Sequence, residues 1–248
     1  MPDFPTAFSA VADCGASAPE ITMQSPQAGR DLTEEADASV DAAGEPANSP
    51  DGALPARKRP KPGERRVQIL QTLAAMLEEP GADRITTAAL AAKLSVSEAA
   101  LYRHFASKAQ MFEGLIEFIE QSIFTLINQI TERDADPALQ ARRIVFMLLQ
   151  FGEKNPGMAR VMVGDALVFE NERLSARMNQ FFDKIESQLR QSLRAAAERA
   201  GSQTPTVDAN GRASALTALA VGRLQRFTRS GFKRSPTEQI EMALGLLT

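Results

Sequence analysis

The chain has 248 residues, 44% of them hydrophobic, and a formal net charge of −3. That is enough apolar side chain for a sizeable core, yet no stretch approaches the roughly 18 consecutive apolar residues of a membrane-spanning helix, and the N-terminal residues lack the basic-then-apolar layout of a secretory signal, so a cytoplasmic protein is expected. With one cysteine, Cys14, and one histidine, His104, there is no internal disulfide and no Cys/His metal cluster, and neither metal nor cofactor is expected.

The charge is unevenly placed. Residues 1 to 56 hold ten acidic side chains against one basic, Arg30, a net −9 that leaves +6 for the rest of the chain. Residues 1 to 63 are rich in Ala, Pro, Ser, Gly and acids and show no apolar period. Such a composition cannot bury enough surface to offset its ordering entropy, so a disordered acidic tail is expected. It ends in a basic arm at 57 to 63, within a run RKRPKPGERR where Arg57, Lys58, Arg59, Lys61, Arg65 and Arg66 face the lone acid Glu64. The arm suits phosphate, and the tail either competes with DNA for it or is an inert extension.

Helical periodicity starts at Arg65 with Val67, Ile69, Leu70, Leu73, Met76 and Leu77, and Pro80-Gly81 should stop this first helix. Thr86 and Thr87 precede an alanine-rich second helix through Leu94. Ser95-Val96-Ser97 reads as a three-residue turn, and Ser97 caps a third helix, EAALYRHF. Together they form a DNA-binding domain over 64 to 110, its helix-turn-helix at 86 to 105. The second member of such a unit lies in the major groove. With Leu101 and Phe105 assigned to packing, the reading surface is Ser97, Glu98, Ala99, Ala100, Tyr102, Arg103 and His104. Tyr102 and His104 are the only tyrosine and histidine of the chain. Thr86 and Thr87, with Arg65, Arg66 and Lys108, are candidate phosphate contacts, though a plain N-cap would also account for the threonines.

Residues 111 to 248 are expected to form a helical regulatory and dimerisation domain. A long fourth helix runs from Ser107 to about Thr131, with Phe112, Leu115, Ile116, Ile119, Ile123, Leu126, Ile127 and Ile130 at helical spacing. Phe118 falls about 100° from that stripe, with Met111 one heptad before it, which implies a second apolar contact. Pro137 opens a fifth helix, apolar all round at Ile144 to Leu149 and ending at Asn155-Pro156-Gly157. A short sixth helix near Met158 to Val163 and a long seventh from about Phe169 to Ala200 follow. The stretch SQTPTVDANG reads as a polar linker before helices from about Arg212 to Arg229 and from Pro236 to Leu247. Leu216, Leu219, Leu224, Phe227, Ile240, Leu244 and Leu247 would either pair two subunits or fill their own core. No period-two strand pattern occurs, so the fold class is all-α with nine helices.

The segment ITTAALAAKLSVSEAALYRHFASKAQMF resembles the N-terminal domain of TetR-type regulators. MFEGLIEFIE, FGEKNPG and the stretch from Arg177 to Gln191 further resemble the nucleoid-occlusion branch of that family. The resemblance implies a nucleoid-associated homodimer that binds specific palindromic double-stranded DNA and antagonises FtsZ polymerisation through the FtsZ C-terminal tail. It puts the tail-binding groove between helices 4 and 5, at Phe118, Met147, Lys154 and Asn155. The competing reading is a TetR-type repressor released from its operator by a small ligand held among helices 5 to 8. An enzyme is not expected, because no Gly-rich phosphate loop, nucleophile with a base or paired-carboxylate constellation stands out.

Overall fold

The computed structural model describes residues 63 to 79 and 85 to 248. The acidic tail, the arm at 57 to 62 and the expected stop at Pro80-Gly81 lie outside the described residues. Within them are nine α-helices, one 3-10 turn and no strand.

Three helices come first: α1 (Glu64–Glu78), α2 (Thr87–Lys93) and α3 (Glu98–Tyr102). Ile69, Leu73 and Leu77 of α1 share one face and are buried, as are Leu90, Leu94, Leu101 and Phe105, all at most 8% exposed. Each buried aliphatic or aromatic side chain contributes about 1.5–3 kcal/mol. α2 ends in a Schellman turn: Val96 N–H donates to the Ala91 carbonyl and Ser95 N–H to that of Ala92, both at 3.0 Å, with Ser95 left-handed at φ 54°. The turn is thus Leu94 to Val96, and Ser97 already belongs to the next helix as its cap. α3 stops at Tyr102, three residues before the predicted end at Phe105. His104 N–H and Phe105 N–H converge on the Leu101 carbonyl, and that tight turn swings Phe105 back into the core.

The body begins with α4 (Lys108–Arg133) and α5 (Pro137–Lys154), a hairpin whose three-residue loop makes them antiparallel. On α4 the buried residues are Met111, Phe112, Leu115, Ile116, Ile119, Ile123 and Ile127, while Leu126 and Ile130 are half-buried. Met111 is therefore core, and only Phe118 of the predicted off-stripe pair keeps exposed surface. α5 starts with Asp136 accepting from Ala138 N–H at 3.0 Å and is buried at Ala141, Ile144, Val145, Met147, Leu148, Leu149 and Phe151. It is the central helix its composition predicts.

α6 (Pro156–Met162) and a 3-10 turn at Asp165–Leu167 lead to α7 (Glu172–Arg199). α7 begins at the Asn171 cap rather than at Phe169, because Gly164 takes φ 84° and the 3-10 turn uses up the intervening chain. α8 (Pro205–Arg229) starts seven residues before Arg212, so the predicted linker is mostly helix. Pro205 fits its first turn, and Asp208 accepts the hydroxyl protons of Ser202 and Thr204. Those bonds hold the Asp208 carboxyl below the usual aspartate range. α9 covers only Ile240–Leu247, since Pro236 to Gln239 form a turn that Arg223 and Glu153 hold through the Glu238 carbonyl and the Thr237 hydroxyl.

Of the stripe offered for subunit pairing, Leu216, Leu224, Phe227, Ile240 and Leu244 are core of their own chain at no more than 3% exposed, while Leu219 and Leu247 are half-buried. The face left open is different. On α9, Met242 is 79% and Leu246 83% exposed. Gly211, Gly222 and Gly245 meet nothing within 4 Å of a built Cβ, and Ser214 and Ala218 are exposed.

Candidate nucleic-acid interface

Two caps set the helix-turn-helix. Thr86 Oγ1 accepts from Ala89 N–H at 3.1 Å, and Ser97 Oγ accepts from Ala100 N–H at 3.3 Å. The two helix starts are joined by the Thr87 hydroxyl, which donates to Glu98 Oε2 at 2.6 Å. Around this link Thr86, Ser97, Glu98, Ala99, Tyr102 and Arg103 are exposed, while Thr87, Ala100 and His104 are half-buried. Tyr102, at 46%, is one of few large hydrophobic side chains exposed in the described residues. Of the predicted reading residues, Ser97, Glu98, Ala99, Tyr102 and Arg103 are thus exposed around the start and end of α3, and Ala100 and His104 are partly covered.

The two arginines that open α1, the end of the basic run, split in role. Arg65 donates to Gln68 Oε1 on its own helix at 2.7 Å. Arg66 reaches across, donating to the His104 carbonyl at 2.7 Å and lying 4.2 Å over the Phe105 ring. That cation–π contact and charge-assisted hydrogen bond fix the end of α3 against α1. Sequence spacing could not reveal a partner 38 residues away.

Lys108 opens α4, whose start is set reciprocally: Ser107 Oγ accepts from Gln110 N–H, and Gln110 Oε1 accepts from Ala106 N–H at 2.8 Å. This variant of the capping box was readable as Ser-x-x-Gln. The Lys108 ammonium is paired with Glu170 and lies 5.6 Å from the Phe112 ring centroid. Glu113–Arg173 and Glu120–Arg177, each at 2.6 Å, continue the row of ion pairs between α4 and α7. The hydrogen bond from Arg177 to Glu120 holds the guanidinium even more firmly protonated than usual. Glu170, 62 residues further along the chain, is thus the partner of the candidate phosphate contact Lys108, and no local spacing points to it.

The second predicted site lies on the hairpin. Phe118 and Asn155 stand at similar heights, roughly 25 Å from the α4–α5 loop at about 1.5 Å per residue. Phe118 is half-buried and Lys154 exposed, whereas Met147 is only 5% exposed and offers little open surface. The Asn155 amide donates to the Phe151 carbonyl at 2.8 Å, which closes the C-terminus of α5. Directly after it, Glu78 of α1 accepts from the Gly157 N–H while burial pushes its carboxyl above the usual glutamate range. The DNA-binding helices and this corner are therefore in direct contact.

Comparisons with known proteins agree with this architecture. Residues 69–115 match the family described as bacterial regulatory proteins, tetR family. Residues 136–248 match the SlmA-like family described as tetracyclin repressor-like, C-terminal domain. The nucleoid occlusion factor SlmA of Vibrio vulnificus (strain YJ016) is 52% identical over 189 residues, covering 76% of this chain and 96% of that protein. Those of Photobacterium profundum and Salmonella typhi are each 51% identical, covering 76% and 75% of this chain and 96% and 94% of theirs. Among solved structures, FadR from Bacillus subtilis superposes with a TM-score of 0.59 at 15% identity, covering 73% of this chain and 96% of its own. PfmR from Thermus thermophilus gives 0.59 at 21%, covering 73% and 94%. The last two share the fold alone. On its helix-turn-helix, its all-helical body and these relatives, the chain belongs to the TetR family of DNA-binding regulators and, within it, to the SlmA nucleoid occlusion factors.

Proposed function

We propose that this protein is a homodimer that binds palindromic duplex sites on the chromosome and, while bound, engages the C-terminal tail of FtsZ and antagonises its polymers, so that no division septum forms over the nucleoid. In this reading residues 64 to 110 hold DNA, residues 111 to 248 pair the subunits and receive the tail, and the protein is nucleoid-associated in the cytoplasm. The observation carrying it is that identity of 52% with the Vibrio occlusion factor covers 96% of that protein, far beyond the helix-turn-helix. Ordinary members share the fold at 15 to 21%.

In this reading the subunits pair through α8 and α9, where Met242 and Leu246 are exposed and Gly211, Gly222 and Gly245 have open space about them for a close approach. A two-fold axis there would set the two reading helices about 34 to 36 Å apart, or a multiple of that, and so require a palindrome. Phosphates are contacted by Arg65, Thr86, Tyr102, His104 and Lys108, and base edges by Ser97 to Ala100, with Arg103 beside them. The tail lies over Phe118 and Met147, with Lys154 drawing its acidic groups and Asn155 at its backbone.

The test is sedimentation of FtsZ polymers with the protein, with and without a duplex that it selects from a randomised pool. DNA-bound wild type should lower the pelleted polymer, while Phe118→Ala fails despite binding DNA and Thr86→Ala fails through DNA. Polymers untouched by a DNA-bound protein would favour a ligand-released repressor instead.

A further inference from the structure

We infer that Glu98 is a specificity-determining residue that selects a cytosine in each half-site, with Thr87 as its positioning residue. The inference rests on the DNA-binding reading above and deepens it.

Glu98 is the first residue of α3 and is exposed. It is the one acid among the reading residues Ser97 to His104. A carboxylate at that place is repelled by phosphate, so it lowers affinity unless it meets a hydrogen-bond donor. A duplex offers two kinds of donor on its major-groove edges, cytosine N4 and adenine N6. Adenine carries the N7 acceptor beside its amino group, which opposes the second carboxylate oxygen. Cytosine carries a C–H there. An acceptor-only side chain therefore prefers cytosine.

The Thr87 hydroxyl turns this preference into a fixed geometry. It donates to Glu98 Oε2 at 2.6 Å, which leaves Oε1 to accept from the base and holds the side chain in place before DNA arrives. A side chain already ordered in the free protein loses less entropy on binding. Thr86, which caps α2 through its own Oγ1, is the threonine left to meet phosphate.

The experiment is selection of duplexes from a randomised pool by the full-length wild type, Glu98→Gln and Thr87→Val, followed by competition binding at each position. Wild type should fix a C·G pair, cytosine on the strand facing α3, at one position of each half-site. Glu98→Gln keeps an oxygen for Thr87 but presents an amide N–H₂ to the groove. It should lose about tenfold of the cytosine preference at that position and move toward pairs that present an acceptor, with the other positions unchanged. Thr87→Val should relax the same position by roughly a fewfold. An unchanged Glu98→Gln consensus, a uniform loss at every position, or a fixed base other than cytosine would overturn the assignment while leaving DNA binding intact. If wild type enriches no duplex, the DNA-binding reading falls, and the inference with it.

Discussion

The backbone of Gly157, in the first turn of α6, lies against the backbone of Ala74 in α1: a Cβ at Gly157 would overlap the Ala74 carbonyl oxygen and come 3.0 Å from its carbon. No such contact can relax by rotating a side chain, so the two helices must part if position 157 gains a methyl group. The joint connects the DNA-binding helices to the chain that begins immediately after Asn155.

Gly157→Ala should therefore destabilise the protein by about 2–3 kcal/mol, despite the better helix propensity of alanine. For a body of this size the melting temperature should fall by roughly 4–10 °C. A calorimetric melt unchanged within a degree would show that α1 and α6 are not in close contact in solution.

Lys108 is paired with Glu170, and the two side chains are only 24% and 10% exposed. If Lys108 also serves phosphate, Glu170 competes with DNA for it. Glu170→Gln should tighten binding to a selected duplex by a fewfold at low salt and steepen the dependence of log K on log salt by about one unit for the cation released to phosphate. An identical slope would mean that Lys108 makes no phosphate contact.

At the helix-turn-helix turn, Ser95 holds φ 54°, where its Cβ is unfavourably placed. Ser95→Gly relieves this while keeping both Schellman hydrogen bonds, and should stabilise the protein by about 0.5–1 kcal/mol. DNA affinity should stay within about twofold of wild type in a direct titration, since the reading residues do not move. A lowered melting temperature would mean that the serine side chain makes a favourable contact at the turn.

Glu78 gives a pH dependence with a defined sign. Its carboxyl is raised in the folded protein, chiefly by burial and against the pull of the Gly157 N–H. The native state thus binds the proton more tightly than the unfolded chain. Its contribution to stability is full below the ordinary glutamate pKa and is lost as pH rises through the raised folded value. Glu78→Gln keeps an acceptor for Gly157 but removes the charge. The variant's melting temperature relative to wild type should be higher at about pH 7.5 than at about pH 5. An equal offset at both would remove Glu78 as a titrating group in folding.

The apolar period of the chain was sufficient to place α1, α4 and α5 within a residue or two, because a helix that buries one face must repeat its large side chains every three or four residues. Thr86 and Ser97 were legible as caps for an equally local reason, since each satisfies an N–H group three residues ahead. The first two turns of α8 were not legible. Residues such as Thr206, Val207 and Asn210 face solvent, and a solvated helical face has the composition of a loop. The end of α3 was misplaced because Arg66 and the Leu101 carbonyl, distant or main-chain groups, decide where Phe105 turns inward.

What the sequence determined by itself is therefore what its neighbours along the chain enforce: the all-helical class and the helix caps. Only the tertiary structure decided that Leu216 and Leu224 are core while Met242 and Leu246 are surface, that Lys108 meets Glu170, and that Gly157 touches Ala74. The physical reason is that two helical stripes of equal apolarity differ only in which helices pack against them, and an ion pair across 62 residues leaves no periodic trace.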